Sequence, residues 1–252
     1  MKKLFGLLVL SCLLLMTACG QSSSNSKEEQ SKTLTVSAAA SLTDVTKDLE
    51  EAFHKDHPNV KVNFNYGGSG ALRQQIDKGA PVDVLMSANT KDVDLLKQKG
   101  KVKETYDYAR NTLVLIHKKG SPIKSVNQLG DEDHLAMGEV ESVPAGKYAK
   151  TYLESQKLWS KVEPKVVYAK DVREVLNYVD KGNAQLGFVY NTDLYVGKQQ
   201  HKGVEKVAEA PLKKPIVYRM GRVTDTKEAK AWYNFMKSHK AQQIMKDYHF
   251  KN

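Results

Sequence analysis

The chain has 252 residues, and 39 Lys and Arg against 29 Asp and Glu give a formal net charge of +10. At ~100–200 residues per domain, that length fits one large domain or two modest ones, either able to bury a core. The 40% hydrophobic content excludes a multi-span membrane protein, and 8% aromatic residues with regular apolar runs argue against a disordered chain. The positive balance leaves nucleic acid, anionic lipid, acidic wall polymers and small anions open as partners.

Lys2 and Lys3 precede Leu4–Ala18, a Leu-rich stretch without charge. Too short to cross ~30 Å of hydrocarbon as a helix, it reads as the h-region of a signal, giving a signal peptide over 1–18. Leu15-Met16-Thr17-Ala18-Cys19-Gly20 resembles a bacterial lipobox, which implies cleavage before Cys19 and lipid attachment to it. An ordinary secretory signal with an incidental Cys19 is the alternative. Removing Lys2 and Lys3 takes the charge from +10 to +8. Cys12 leaves with the signal and Cys19 carries lipid, so a disulfide framework, a Cys metal site and a Cys nucleophile are excluded together. Export also argues against cytosolic nucleic-acid binding. Residues 19–32 are rich in Ser, Gln, Glu and Lys, and from Gly20 onward hold no aliphatic or aromatic side chain, so they read as a flexible tether.

Strands and helices alternate from there. Thr33–Ala38 reads as a buried strand, and Ser41–His57 as a helix with Leu42, Val45, Leu49, Ala52 and Phe53 on one face, closed by Pro58. Val60–Phe64 is a strand, Tyr66–Gly70 a flexible loop, Ala71–Lys78 a helix, Val82–Met86 a strand and Lys91–Lys99 a helix ended by Gly100. Leu113–His117 is strongly β-like. The alternation then restarts with a strand at Leu135–Met137, a helix from Pro144 through Leu158, a strand at Lys165–Tyr168, a helix at Val172–Asp180 and a strand at Leu186–Tyr190. Two β-rich pieces, Val204–Ala208 and Ile216–Val223, precede one long terminal helix from Lys227 to Tyr248.

This order predicts an α/β protein of two lobes, each a mostly parallel sheet flanked by helices. One lobe takes 33–110 plus 216–252 and the other 111–215. Such folds bind ligands beyond the carboxyl ends of strands, and two lobes place the ligand in the cleft between them.

Four junctions join small residues to a helix start: Ala38–Leu42, Gly67–Gly70, Val143–Gly146 and Ala169–Val172. A helix N-terminus offers unpaired N–H groups and a positive dipole end, together an anion site. Ser41, Ser69 and Tyr190 are placed to add hydroxyl donors. Each piece also has an ordinary explanation. Ser41 can be an N-cap with Asp44 three residues on, Gly67–Gly70 a turn, Pro144 an N1 proline and Tyr190 a core residue.

Taken in order, Ala38–Thr43, Gly79–Val84, Val143–Ala149, Asp171–Arg173 and Leu186–Tyr190 resemble the molybdate-binding proteins that feed a molybdate ABC transporter, a branch of the type II periplasmic binding proteins. The resemblance covers nearly all of Thr33–Phe250. It implies that Ser41, Ser69, Ala145, Val172 and Tyr190 contact an oxyanion. Hydroxyls would come from Ser41, Ser69 and Tyr190, and backbone N–H groups from Ser41, Ser69, Ala145 and Val172. It further implies molybdate or tungstate as the ligand, a membrane permease as partner, a monomer lipid-anchored at the outer face of the cell membrane, no cofactor and no catalysis.

A donor-only site suits an oxyanion without a proton, whereas monohydrogen phosphate needs an acceptor. Asp44 and Asp171 near the junctions leave sulfate or phosphate carriers as alternatives. A hydrolase on a two-lobed scaffold is a further one, although no nucleophile–base motif or metal set is visible. Arg73, Lys147, Lys170 and Arg173 read as first-turn residues that only steer anions. His54 and His57 read as a solvated helix end, and Trp232, Phe235 and Met236 as core.

Overall fold

The computed structural model describes residues 32–251. The signal, the lipobox with Cys19 and all of the tether but Lys32 lie outside the described residues. The chain runs through β1 (Lys32–Ala39), α1 (Val45–His54), β2 (Val60–Gly67), α2 (Ser69–Asp77), β3 (Val84–Ser87), α3 (Lys91–Gln98) and β4 (Glu104–Asn111). After Thr112 come β5 (Leu113–Lys118), β6 (Leu135–Gly138), α4 (Pro144–Ser155), α5 (Trp159–Val162), β7 (Val166–Ala169), α6 (Val172–Lys181) and β8 (Leu186–Tyr190). A short hairpin of β9 (Tyr195–Val196) and β10 (Gln199–Gln200), then β11 (Val204–Glu209), β12 (Ile216–Arg222), α7 (Lys227–Met236) and α8 (His239–Asp247), complete it.

The strands form two five-stranded sheets, ordered β2-β1-β3-β12-β4 and β11-β5-β8-β6-β7. Helices flank both, so the fold is the expected two-lobed α/β architecture. The sheets themselves are mixed rather than mostly parallel. In the first, β1 runs parallel to β2 and β3, while β12 is antiparallel to β3 and β4. In the second, β6 runs parallel to β7 and β8, while β5 is antiparallel to β8 and β11. The cause is the way the chain changes lobe. Strands β5 and β12 arrive directly from the other sheet, without the helical crossover that a parallel neighbour requires.

Central strands are apolar on both faces. Val84, Leu85 and Met86 of β3 are consecutive and fully buried, as expected of a strand covered on both sides. Helix α6 shows how local signals and packing agree. The Asp171 carboxylate caps it, accepting from the N–H groups of Arg173 and Glu174 at 2.9 and 3.0 Å. Val172, Val175, Leu176 and Val179 recur at helical spacing and are buried. Gly182, at φ 79°, ends the helix in the left-handed conformation.

Three local expectations change. The terminal helix is two helices, because the Ser238 side chain accepts from the Ala241 N–H at 3.2 Å and starts α8 afresh. Strand β4 lies in a stretch that carries no strand signal in the sequence. Ser41 belongs to a 3-10 turn (Ala40–Leu42) ahead of α1, whose N-cap position is Asp44. Its hydroxyl therefore caps nothing.

Candidate functional site

Six strands end around a small cavity between the lobes, about 200 Å³ when space open to solvent is counted. Ala39, Ala40 and Ser41 follow β1, Gly67 closes β2 ahead of Gly68 and Ser69, and Ala88 follows β3. The other lobe contributes Val143 and Pro144 at the start of α4, Asp171 and Val172 at the start of α6, and Tyr190 at the end of β8.

The lobes touch across this cavity. The Gly70 N–H donates to the Ser142 carbonyl at 2.9 Å, and the Arg173 guanidinium pairs with Asp44 at 3.0 Å. Gly68 and Gly70 are required by this approach. A Cβ on Gly68 would lie 2.8 Å from Ser142 O and 2.9 Å from Lys170 O, and one on Gly70 would lie 2.9 Å from Ser142 Cα.

Apart from the Asp171 carboxylate, the polar side chains lining the cavity are hydroxyls able to donate. Ser69 is fully buried, and its Oγ accepts the Ala88 N–H at 3.0 Å, which leaves the hydroxyl proton to give. Ser41 Oγ lies 2.9 Å from the Tyr218 hydroxyl. Tyr190, only 2% exposed, has a hydroxyl with no hydrogen-bond partner. Buried groups left unpaired in this way are rare and call for an explanation. Burial pushes the Tyr190 and Tyr218 phenols well above their ordinary 10, so both remain O–H donors.

Backbone donors complete the set. Asp171 takes the Arg173 and Glu174 N–H groups, Val143 O takes those of Gly146 and Lys147, and Ser142 O takes that of Gly70. The N–H groups of Ser69, Ala145 and Val172 sit in the first turns of α2, α4 and α6, where no intrahelical acceptor exists. Of the five residues singled out in the sequence, Ser41, Ser69, Val172 and Tyr190 line the cavity. Ala145, the residue after the lining Pro144, is fully buried and is not itself among the lining residues.

Charged groups are held at the edge. Arg173 bridges Asp44 of one lobe and Asp193 of the other, its Nε 3.1 Å from Asp193 Oδ1 in an ion pair without hydrogen-bond alignment. Burial lifts the Asp193 carboxyl to about 6 against the opposing pull of Arg173 and the Tyr190 N–H. Arg73 pairs with Asp77 and Asp92 at 2.8 and 3.0 Å. Lys147 lies beside Lys91, which together with burial lowers its pKa. His54 Nε2 lies 2.6 Å from the Val60 carbonyl, and Trp232 and Met236 are fully buried.

The sequence did not point to Tyr218 or Asn111. Period-two burial of Ile216, Tyr218 and Met220 marks β12 as a core strand. Nothing local signals that Tyr218 reaches Ser41, 177 positions away.

A donor-lined cavity at the strand ends of two facing mixed sheets is the arrangement of a two-lobed solute-binding protein. Over residues 34–251 the chain matches the family of bacterial extracellular solute-binding proteins, and it belongs to that family. A Bacillus subtilis protein provisionally named an ABC transporter substrate-binding lipoprotein is 39% identical over 248 residues, 96% of this chain and 95% of that one. The molybdate-binding protein ModA of Haemophilus influenzae is 35% identical, covering 86% of this chain and 89% of its own. The solved periplasmic molybdate-binding protein of Azotobacter vinelandii superposes with a TM-score of 0.76 at 25% identity, over 87% of this chain and 99% of that chain. The family is extracytoplasmic, and among the described residues no helix is long and apolar enough to cross a membrane.

Proposed function

We propose that this protein captures molybdate, and tungstate with it, between its lobes and delivers the anion to the permease of an ABC transporter. The observation that carries this reading is the buried donor set, above all the unpartnered Tyr190 hydroxyl between helix starts. Ser41, Ser69 and Tyr190 serve as hydroxyl donors, and Ser41, Ser69, Ala145 and Val172 as backbone donors.

Molybdate, tungstate and sulfate carry no proton at neutral pH and only accept hydrogen bonds. Monohydrogen phosphate needs an acceptor, and the two carboxylates near the site are engaged. Asp44 faces Arg173, and Asp171 Oδ1 caps α6. Each bond to the buried anion contributes about 1.5–3 kcal/mol, enough in sum to offset association costs. Relatives with molybdate in their names favour it over sulfate.

The same contacts argue for binding rather than hydrolysis. A nucleophilic serine needs a base to take its proton. Ser69 Oγ instead receives a backbone N–H, and Ser41 faces a phenol. The protein works as a monomer without a cofactor, held to the outer membrane face by lipid on Cys19. The contacts beside the cavity suit reversible closure, since they are one backbone hydrogen bond and one partly exposed ion pair.

Thermal unfolding with each anion tests the proposal. A ligand at ~100 times its dissociation constant adds about 2.7 kcal/mol of stability. Molybdate and tungstate should raise the melting temperature, and phosphate should not. A shift with sulfate or phosphate alone would overturn the ligand assignment.

A further inference from the structure

Hydroxyl groups accept as readily as they donate, so a serine alone does not make a donor-only site. Something must fix the direction of its proton. For Ser41, the surrounding hydrogen bonds supply that direction.

The chain of bonds begins at Asn111, the last residue of β4, where the backbone crosses between lobes. Its Oδ1 accepts the Thr112 backbone N–H at 2.9 Å. A backbone N–H only donates, which fixes the orientation of the amide. Both hydrogens of Nδ2 then point elsewhere, one to Thr192 Oγ1 at 2.9 Å and one to the Tyr218 hydroxyl oxygen at 3.3 Å. Asn111, Thr192 and Tyr218 are all buried. With the Tyr218 oxygen accepting from Asn111, its own O–H is available for Ser41 Oγ at 2.9 Å, and that is the direction assigned here to this hydroxyl pair. Ser41 Oγ, already accepting, is left with its proton to give, and that proton faces the cavity that Ser41 lines. Ser69 is set in the same sense by the Ala88 N–H.

We propose that Tyr218, oriented by Asn111, is a specificity-determining residue that locks Ser41 as a donor and so restricts the site to oxyanions that carry no proton. A protonated oxyanion brings an O–H that needs an acceptor. Tyr218 takes one of the two lone pairs on Ser41 and turns its proton toward the anion, so a ligand O–H is disfavoured there relative to a bare oxyanion oxygen. The inference rests on the anion-binding reading above and deepens it, by naming what excludes the protonated class.

Tyr218→Phe removes the hydroxyl and leaves one Asn111 N–H without its acceptor, and circular dichroism checks that the variant folds. Molybdate and phosphate dissociation constants are measured by calorimetry for wild type, Tyr218→Phe, Ser41→Ala and the double variant. The lock predicts about tenfold weaker molybdate binding in Tyr218→Phe. Phosphate binding should hold or tighten, so the molybdate-to-phosphate preference falls at least tenfold by the same scale. In the Ser41→Ala background, Tyr218→Phe should change nothing further, since residues acting through one another are not additive. Equal weakening of both anions, or a full additional effect without Ser41, would overturn the lock and leave Tyr218 a packing residue. If Tyr218→Phe does not fold, Asn111→Ala reads the same ratio, because the Tyr218 oxygen is then free to accept from Ser41. Wild type that binds neither anion would refute the anion-binding reading itself. Wild type that binds molybdate, with an unchanged ratio in the variants, would refute the lock alone.

Discussion

Gly68→Ala should weaken anion binding while leaving the unliganded protein at least as stable as before. Gly68 adopts φ −64° and ψ 132°, a conformation alanine takes without strain. Its new Cβ would nevertheless lie 2.8 Å from Ser142 O, 2.9 Å from Lys170 O and 3.0 Å from Val143 Cγ2, all on the opposite lobe. Carbon contacts are most favourable at ~3.5–4.0 Å, so closure would stop about 0.5–1 Å short. Two of the three obstacles are backbone atoms and cannot swing aside. Overpacking of this kind costs about 1–3 kcal/mol, equivalent to about a 5- to 150-fold rise in the dissociation constant. With the lobes apart the clash vanishes, and replacing glycine at a compatible conformation adds about 0.4–1 kcal/mol through the unfolded chain. Calorimetric titration with molybdate and a melt without ligand separate the two effects. Unchanged affinity, or a ligand-free melt that falls in step with the affinity, would refute the closure argument.

Other substitutions test different parts of the structure. Gly146→Ala should destabilise with or without ligand, because its Cβ would fall on the Gly138 carbonyl where α4 packs on β6 within one lobe. A loss of about 1–3 kcal/mol in denaturant unfolding is expected, and an unchanged midpoint would contradict that packing. Asp193 gives a pH dependence whose sign follows from burial. Its carboxyl moves from 3.8 to about 6 in the folded protein, so the folded state holds the proton more tightly than the unfolded chain. The stability this confers is full below pH 3.8 and disappears as the pH rises through about 6, on the order of 3 kcal/mol. Asp193→Asn should flatten that slope in unfolding measured across this range, and an unaltered profile would show that another group carries it.

The sequence made the alternation of strands and helices legible, because buried strands such as Leu186–Tyr190 and the periodic face of α6 declare themselves locally. Their junctions were legible for the same reason, and they stand around the cavity. Strand β4 was not, since Glu104–Asn111 is largely polar and forms through pairing with β12, more than a hundred residues later. The break between α7 and α8 hid behind continuous apolar spacing, and only a capping serine marks it. Arg173 read as a steering charge, yet its ion pair with Asp44 exists only once the lobes meet. The glycines of Gly67–Gly70 read as a flexible turn. The need for glycine at Gly68 and Gly70 lies across the cleft, in backbone atoms of the other lobe. Long-range contacts of this kind have no local signature.

The most direct test is calorimetric titration of molybdate into wild type and Tyr190→Phe. A donor cavity completed by the Tyr190 hydroxyl predicts one anion per chain in the wild type. It also predicts about 10- to 150-fold weaker binding in the variant, from the loss of one bond to a buried anion. A wild type that takes up no molybdate, or a variant that binds it equally well, would contradict the assignment.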